Sequence, residues 1–323
     1  MHTIKSDLKE IEKGFNPGEF PLNILVEPSN FCNLKCTMCA HKDMKRPKGK
    51  MSMELYRKIV DEIASENPDT RLWVNFYGES LLMGWQLYYL IDYAKKREIT
   101  NVGFNTNGTL LSDEMIDMLI DSGIDFVSID MDAFSKDAFE KIRAGADRDV
   151  VYKNVHRFIE RKQERNVEKP VLEVKIIEMN ENSEEIQQIV DYWRQYPIRI
   201  EVREMFTWAE KIKADGNREI PERIACAYGI GHCAIAWDGR VAICGLDSEI
   251  EEEQGNVNNE SIKEIWKRKC DTVLKKHIEH DFENLPEICK NCTDWMHVGT
   301  EVRINENGEV YNRNYANKGK MLS

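Results

Sequence analysis

The chain has 323 residues, 45 of them basic and 57 acidic, so its formal net charge is −12. A net negative surface repels phosphate backbones and anionic lipid, so we expect neither nucleic acid nor a membrane as partner. No apolar run approaches the roughly twenty residues of a membrane helix, and the N-terminus lacks a signal peptide's apolar segment, so we expect a cytoplasmic protein.

After a short N-terminal arm at residues 1–20, strand-like runs alternate with amphipathic helical stretches. The predicted helices are 51–66, 87–97 and 112–123, with Ser52 and Ser112 at the starts of the first and third. The predicted strands are 22–28, 71–78, 101–108, 125–132, 171–179 and 198–205. This alternation predicts an α/β fold with a parallel sheet, either a partial barrel of six strands or a doubly wound sheet.

The rhythm of helices and strands stops near residue 210, where cysteines, glycines and short turns take over. We therefore predict a barrel domain at 21–210, a small cysteine-rich domain at 211–296 and a C-terminal tail at 297–323. Asp238-Gly239 predicts a hairpin turn in the second domain, and Asn307-Gly308 predicts another in the tail.

Three of the nine cysteines stand in one short loop directly after the first predicted strand: Cys32, Cys36 and Cys39. In a reducing compartment, cysteines indicate metal ligation or catalysis more than disulfides. Three thiolates are one too few to fill a 4Fe-4S cube, so one iron would stay open for another ligand. A zinc site or simple burial is the alternative, although zinc normally takes four closed ligands.

This loop resembles the motif of the radical S-adenosylmethionine (radical SAM) family, in which three and then two residues separate three cysteines after the first barrel strand. Met38 stands where the family often has an aromatic residue. The resemblance implies a partial (β/α)6 barrel, and an open iron that binds the amino and carboxylate groups of S-adenosylmethionine. One electron from the cluster then cleaves this cofactor to methionine and a 5′-deoxyadenosyl radical. It also implies a reductase partner such as flavodoxin or ferredoxin.

Later segments resemble the family's cofactor-binding motifs in the same order, each near the carboxyl end of a strand, where α/β folds place active sites. Tyr77-Gly78-Glu79 resembles the segment that receives the amino group of the cofactor. Asn107 belongs to a TNG-like segment, and Ser128 and Asp130 to the family's S-hydrophobic-D segment. Ser128 and Arg143 are candidates for the cofactor's carboxylate, which an arginine can grip with two parallel hydrogen bonds.

The second cysteine group contains Cys226, Cys244, Cys289 and Cys292, at intervals of 18, 45 and 3 positions. Spacing alone does not separate an iron–sulfur site from a structural zinc site. The segments AWDGRVAIC, GNVNNESIKEIW and LPEICKNCTDW resemble the SPASM and twitch class of auxiliary-cluster domains. The cysteine intervals also resemble the single-cluster pattern found in 2-deoxy-scyllo-inosamine dehydrogenase and in related sugar and aminocyclitol dehydrogenases and epimerases. This resemblance implies a second 4Fe-4S cluster with four protein ligands.

Two cysteines remain, and some strand residues are candidates for substrate contacts. Cys270 reads as a small buried residue of a helix. We expect Cys233 in a glycine-rich turn, where it is a hydrogen donor to a substrate radical, a replacement cluster ligand or a structural residue. We expect charged and polar residues of the late strands to point into the barrel, with Lys175 and Arg203 the first candidates for catalysis. The set comprises Glu173, Lys175, Glu178, Glu201, Arg203, Glu204 and Trp208.

The sequence-based hypothesis is a radical SAM dehydrogenase or epimerase that abstracts hydrogen from a hydroxyl-bearing carbon of a sugar, aminocyclitol or aminoglycoside. A peptide maturase is the first alternative, weakened because only 31 residues precede Cys32, too few for a folded peptide-recognition module. A non-enzymatic iron–sulfur or zinc scaffold is the second.

Overall fold

The computed structural model describes residues 8–213, 220–298, 302–307 and 309–312. Its strands form one sheet in the order β11-β10-β6-β5-β4-β3-β2-β1-β7-β8-β9. The strands are β1 (Asn23–Val26), β2 (Arg71–Trp73), β3 (Val102–Thr106), β4 (Phe126–Asp130), β5 (Val171–Glu178), β6 (Arg199–Glu204), β7 (His232–Ile235), β8 (Arg240–Ala242), β9 (Gly255–Asn256), β10 (Val302–Ile304) and β11 (Val310–Asn312).

The helices lie mostly between consecutive strands. They are α1 (Leu8–Glu12), α2 (Met53–Glu66), α3 (Trp85–Lys96), α4 (Asp113–Asp121), α5 (Lys136–Ile142), α6 (Arg148–Glu164), α7 (Ile186–Trp193), α8 (Ala227–Gly231), α9 (Ile262–Lys269), α10 (Lys275–Ile278) and α11 (Glu287–Asn291). A π-helical turn at Cys270–Leu274 joins α9 to α10, and short 3-10 turns occupy Ala40–Asp43, Ser80–Met83, Phe282–Asn284 and Asp294–His297. No helix in these described ranges is long and apolar enough to cross a membrane.

The six predicted barrel strands are present, and β1 to β6 pair in parallel in chain order. The two helices with a predicted serine cap start at that cap: the Ser52 hydroxyl accepts from the N–H of Leu55 at 3.1 Å, and that of Ser112 from Met115 at 3.2 Å. The helix predicted at 87–97 begins two residues earlier, at Trp85. Crossover helices connect parallel strands and cover the sheet. Because the strands run in the same direction, the carboxyl ends of β1 to β6 lie along one edge of the sheet. The α/β fold expected from the alternation is confirmed.

The main core lies between the sheet and its helices. Helix α2 buries an apolar stripe that includes Tyr56, Ile59 and Ile63, all fully buried. Complete burial of one large apolar side chain stabilises a fold by about 1.5–3 kcal/mol. Along β3 to β5, buried apolar residues such as Phe104 and Val174 alternate with polar ones, so the second face of these strands is polar.

The cysteine-rich segment continues the barrel sheet, because β7 pairs in parallel with β1 and then turns back through β8 and β9. The predicted turn at Asp238-Gly239 joins β7 to β8, and Gly239 has a φ of +89° there. At the other edge, β10 and β11 form the predicted second hairpin, and β10 pairs antiparallel with β6. Gly308 of that turn lies outside the described residues. The expected tail thus supplies two strands of the sheet, and the domain boundaries stay a prediction.

Candidate functional site

Three cysteines lie in the loop after β1. Cys36 is buried, and Cys32 and Cys39 are partly exposed. Burial raises the pKa of all three thiols, that of Cys39 to about 12, and the thiolate charge of Cys36 raises the pKa of the other two. Soft ligands gathered without a cation stay protonated, and bound iron converts them to thiolates. This donor set fits the predicted 4Fe-4S site with one open iron.

The guanidinium of Arg143 is buried beside Cys36. Its Nη1 lies 3.8 Å from Cys36 Sγ and 3.1 Å from an Asp130 oxygen, and its Nη2 lies 2.5 Å from an Asp132 oxygen. Two carboxylates thus occupy most of its donors, and Asp132 is completely buried. Binding of the cofactor's carboxylate by Arg143 stays a prediction. The contacts of Arg143 with Asp130, Asp132 and Cys36 hold the end of β4 beside the cysteine loop.

Gly78 permits close approach between the segment after β2 and the cysteine loop. The N–H of Glu79 donates to the carbonyl oxygen of Phe31 at 2.8 Å. Gly78 has a φ of +93°, and a Cβ there would lie 2.7 Å from the carbonyl oxygens of Ser29 and Phe31. Only glycine accepts both this conformation and this contact. Gly78 therefore brings the predicted cofactor segment against the cysteine loop.

Glu79 lies where the resemblance places the amino group of the cofactor. Its buried carboxylate accepts from the N–H groups of Asn107 at 2.9 Å and Leu81 at 3.1 Å, and from the Thr106 hydroxyl at 2.9 Å. Burial raises the pKa of Glu79 to about 7, and these hydrogen bonds oppose the rise. The Asn107 side chain donates to Asn33 of the cysteine loop at 3.0 Å. Two predicted cofactor segments and the cysteine loop thus form one hydrogen-bonded unit.

Polar side chains of β4, β5 and β6 interact across the sheet. The Ser128 hydroxyl donates to Glu173 at 2.9 Å, so this expected ligand of the cofactor's carboxylate has a protein partner. Arg303 of β10 forms an ion pair with Glu201 and lies 3.8 Å from Glu173. All four side chains are largely buried, and charges at such depth require partners. The C-terminal hairpin therefore completes a polar network of the barrel.

The two candidate catalytic residues lie on neighbouring strands. Lys175 is 7% exposed, and its ammonium donates to the side-chain oxygen of Asn105 at 3.3 Å and lies 5.6 Å from the centre of the Trp73 ring. Arg203, on β6, places its guanidinium carbon 4.4 Å from the centre of the Phe206 ring. The structure thus brings Lys175 to the polar side of the sheet, and it sets Arg203 against an aromatic ring. Their catalytic roles stay predictions.

The second cysteine group lines one cavity. Cys226, Cys244, Cys289 and Cys292 all contribute to its walls, which are otherwise mainly apolar. Burial raises the pKa of the four thiols, that of Cys244 to about 12, and the thiolate charge of Cys226 raises the pKa of the other three. The N–H of Leu246 donates to Cys244 Sγ at 3.4 Å. Four soft donors around one apolar cavity fit a 4Fe-4S cluster with protein ligands at every iron.

Zinc is the alternative occupant of both cysteine groups. Zinc requires its ligands within about 2.0–2.3 Å of a single point. In the part of the chain that the structure describes, no three His, Cys, Asp or Glu side chains are grouped so that they could hold one metal ion. Elemental analysis of the purified protein is the direct test between zinc and iron.

The two remaining cysteines are placed differently. We expected Cys233 in a turn, but it lies in β7, where it pairs with Ile24 and is 1% exposed. The charges that influence its pKa belong to Lys269 of α9 and Glu62 of α2, so its thiol faces the helices. The prediction of a turn at Cys233 is wrong because no local feature of the sequence indicates that β7 pairs with β1. Its role as a hydrogen donor stays a prediction, which this placement disfavours. Cys270 packs partly buried against the core, as expected.

Two aromatic side chains lie between the cysteine sites. The ring centres of Tyr77 and Trp208 are 5.5 Å apart. The Tyr77 hydroxyl donates at 3.4 Å to the carbonyl of Gly245, which follows a cysteine of the second group, and the Trp208 indole donates to the carbonyl of Met38 in the first loop. Buried Asp294 accepts at 2.6 and 2.9 Å from the N–H groups on either side of Trp208. Predicted cofactor residues Tyr77 and Met38 therefore also connect the two sites.

Sequence reasoning missed four charged residues of these sites, namely Asp132, Lys269, Asp294 and Arg303. Asp132 lies two positions after Asp130, a predicted cofactor residue. This spacing places both side chains on the same face of an extended segment, and that is the signal that could have identified Asp132. Lys269 continues the apolar stripe of α9 at helical spacing, a signal that it is buried. Asp294 and Arg303 gave no local signal, because their partners lie about 90 and 100 positions earlier in the chain.

A parallel α/β sheet whose first loop carries three cysteines, joined to a four-cysteine cavity, fits the class of proteins that combine iron–sulfur clusters with S-adenosylmethionine. Sequence profiles agree: the Radical SAM superfamily profile matches residues 26–193, and that of the iron-sulfur cluster-binding SPASM domain matches residues 226–293. The chain belongs to the Radical SAM superfamily, and its cofactors are S-adenosylmethionine and 4Fe-4S clusters.

Two curated proteins illustrate the relationship. The tungsten-containing aldehyde ferredoxin oxidoreductase cofactor-modifying protein of Pyrococcus furiosus is 23% identical over 295 residues, which cover 75% of this chain and 80% of that protein. A probable GTP 3′,8-cyclase of Methanococcus maripaludis is 28% identical over 183 residues, 56% of this chain and 58% of the cyclase. The chain therefore matches little more than half the length of the cyclase.

Two solved structures share the fold. BtrN in complex with AdoMet and 2-DOIA superposes with a TM-score of 0.60 at 20% identity, covering 84% of this chain and 92% of BtrN. Streptococcus suis SuiB bound to the precursor peptide SuiA gives a TM-score of 0.62 at 15% identity, covering 80% of this chain and 67% of SuiB. The predicted resemblance to radical SAM enzymes with an auxiliary-cluster domain is confirmed, and at these identities the structural likeness concerns the fold alone.

Proposed function

We propose that this radical SAM enzyme dehydrogenates an alcohol carbon of a small hydroxyl-rich molecule, such as a sugar, an aminocyclitol or an aminoglycoside. The observation that carries the proposal is a row of polar side chains on β3, β4 and β5. Asn105 accepts from Lys175, and Asp130 is the register partner of Lys175. A hydroxyl group both donates and accepts, and this row offers an ammonium, an amide and a carboxylate to it.

When bound, the first cluster and S-adenosylmethionine supply a one-electron cleavage whose product takes a hydrogen atom from a substrate carbon. In this proposal Lys175 donates to the substrate's hydroxyl oxygen and so orients the carbon that carries it. Asp130 accepts the proton that leaves that hydroxyl as the carbonyl forms, while Arg143 balances the charge of the carboxylate at 3.1 Å. The four cysteines of the second cavity would hold a cluster, which would supply an acceptor for the remaining electron.

Dehydrogenation is favoured over epimerisation by the placement of Cys233. An epimerase returns a hydrogen atom to the opposite face of the substrate, and a thiol near the substrate must supply it. Cys233 is 1% exposed, and the charges that influence it belong to helices α9 and α2. A thiol on the helix side of the sheet is badly placed for that transfer. BtrN, whose solved complex contains 2-DOIA, covers 84% of this chain and lends the proposal support at the level of fold.

We place the enzyme in the cytoplasm with a flavodoxin or ferredoxin as reductant, because free thiols and reduced clusters need a reducing compartment. Anaerobic incubation with S-adenosylmethionine, a reductant and a panel of polyols and aminocyclitols in deuterated water tests the reaction. A ketone formed with one equivalent of 5′-deoxyadenosine supports dehydrogenation. Deuterium in a stereoinverted alcohol indicates epimerisation instead, and 5′-deoxyadenosine released only with peptides indicates a peptide maturase.

Variants connect the product to the proposed residues. Lys175→Met should reduce ketone formation by at least tenfold, since a hydrogen bond to a charged donor contributes about 1.5–3 kcal/mol. Lys153→Met is the matched control, because Lys153 is exposed on α6. Equal ketone formation by both variants would remove Lys175 from the reaction, and absence of a ketone with every alcohol would remove the proposed substrate class.

A further inference from the structure

The charged side chain of Lys269 is buried in the core of the protein. It ends α9 and is 1% exposed, in line with Ile262, Ile265 and Trp266 on the buried face of that helix. Removing an ammonium from water costs several kcal/mol unless an opposite charge compensates it. A buried lysine therefore indicates either a neutral amine or an anion close by.

The immediate contacts of Lys269 do not supply an anion. Its Nζ donates to the carbonyl oxygens of Gly229 at 2.9 Å and His232 at 3.0 Å, and it lies 4.9 Å from the centre of the Trp266 ring. Among the residues that the structure describes, no carboxylate lies within 4.0 Å of Nζ. Carbonyl dipoles and an aromatic face solvate an ammonium, but they leave its charge unbalanced.

The anionic groups that face Lys269 are cysteine thiolates. Burial lowers the pKa of its ammonium, and thiolate charge on Cys233 of β7 and then on three cysteines of the second group, Cys244, Cys289 and Cys226, raises the pKa again. The geometry agrees, since Gly229 lines the four-cysteine cavity, accepts from Lys269 through its carbonyl and gives its N–H to Cys226. The ammonium thus lies just behind the wall of the cavity.

We propose that Lys269 is the buried countercharge of the auxiliary cluster and raises its reduction potential. Four thiolates make a protein-bound 4Fe-4S cluster anionic overall, and uptake of one electron adds a further negative charge without forming or breaking a bond. A fixed ammonium favours the more anionic, reduced form, because net charge and burial set the potential of such clusters. In the proposed dehydrogenation the electron comes from the substrate radical, and in a titration it comes from dithionite.

The experiment isolates this cluster in the full-length chain with Cys32, Cys36 and Cys39 replaced by alanine, so that only the second cluster contributes an electron paramagnetic resonance signal. Redox titration then compares this parent with Lys269→Met and Lys269→Arg. The matched control is Lys267→Met, two positions earlier on α9, whose exposed ammonium pairs with Asp271 at 2.7 Å. We expect a more negative midpoint potential for Lys269→Met, and the parent's potential for Lys269→Arg and Lys267→Met.

Two results would overturn the proposal. The first is that Lys269→Met keeps a full complement of iron and has the midpoint potential of the parent, or a more positive midpoint potential. The other is loss of iron from both Lys269→Met and Lys269→Arg, which would assign the residue to packing and carbonyl contacts alone. Loss of iron from Lys269→Met with retention in Lys269→Arg supports the countercharge. No substrate enters this experiment, so its outcome is independent of the proposed alcohol oxidation.

Discussion

The indole N–H of Trp208 donates to the carbonyl oxygen of Met38 at 2.6 Å, and this bond joins the two cysteine sites. Trp208 begins a run of three residues with positive φ, a conformation that costs about 1–3 kcal/mol for each residue with a side chain. Asp294 holds this turn by accepting from the N–H groups on both sides of Trp208. Since Asp294 follows Cys292 by two positions, the order of the second site supports the loop of the first.

We expect Trp208→Phe to loosen the first cysteine loop while the second site stays intact. The ring is retained and one hydrogen bond is lost, so S-adenosylmethionine affinity should fall by about two- to tenfold, equivalent to about 0.5–1.5 kcal/mol. Cofactor titration of the reconstituted protein measures this. Trp85→Phe is the control, because the indole of Trp85 is 53% exposed and donates to Glu114 at the surface. An unchanged affinity in Trp208→Phe would show that the bond does not position the loop.

The parts of this molecule that the sequence predicted are those with local causes. The six barrel strands and the starts of α2 and α4 follow from residue periodicity and from serine caps such as Ser52. The first cysteine loop follows β1 and Gly78 follows β2. Because β1 and β2 are neighbouring parallel strands, the loop and Gly78 are adjacent in the fold. Once the strands are assigned, their carboxyl ends meet at one edge, and the candidate site follows.

What the sequence did not predict depends on partners far along the chain. Cys233 reads as a turn residue until β7 is known to pair with β1, about 200 positions earlier. Arg303 stands in an apparent tail, and only the pairing of β10 with β6 brings it to Glu201. Such contacts arise from tertiary packing, which overrides local propensity and leaves no periodic signal.

If Glu79 receives the amino group of S-adenosylmethionine, as the resemblance implies, its raised pKa is expected to make cofactor binding depend on pH. Burial raises its pKa to about 7, so the carboxyl is largely protonated at pH 6 and largely ionised at pH 8. An ionised carboxylate accepts more strongly from the amino group of S-adenosylmethionine, so affinity should rise with pH across this window. Calorimetric titration at several pH values measures the trend. Glu79→Gln should bind about tenfold or more weakly and lose the trend, and a trend that survives this substitution would assign it to another group.

Arg143 is expected to be a large stabilising element, because it balances two carboxylates at depth. Arg143→Met leaves Asp130 and buried Asp132 without their cation, and removal of one partner from a buried pair costs about 3–5 kcal/mol. Urea unfolding of the metal-free protein measures the loss. Arg157→Met is the comparison, since Arg157 pairs with Asp113 at the surface, where ion pairs contribute about 0–1 kcal/mol. Similar losses in both variants would contradict the assigned burial of charge.

Gly78→Ala should abolish the first cluster and leave the second. The added Cβ would lie 2.7 Å from the carbonyl oxygens of Ser29 and Phe31, so the chain must move away from the cysteine loop or the loop must shift. Iron per chain should fall from about eight toward about four, the content of two cubes and of one. Iron analysis and electron paramagnetic resonance of the reconstituted variant measure the change.

Gly84→Ala separates this contact from the cost of backbone conformation. Gly84 also has a positive φ, +54°, but no atom lies within 4 Å of the position of an added Cβ. Its alanine variant should therefore lose some stability, on the order of 1 kcal/mol, and keep both clusters. If Gly84→Ala lost iron as Gly78→Ala does, general destabilisation would explain both results. If instead Gly78→Ala retained a full complement of iron, close approach of the Gly78 segment would not be required for the first cluster.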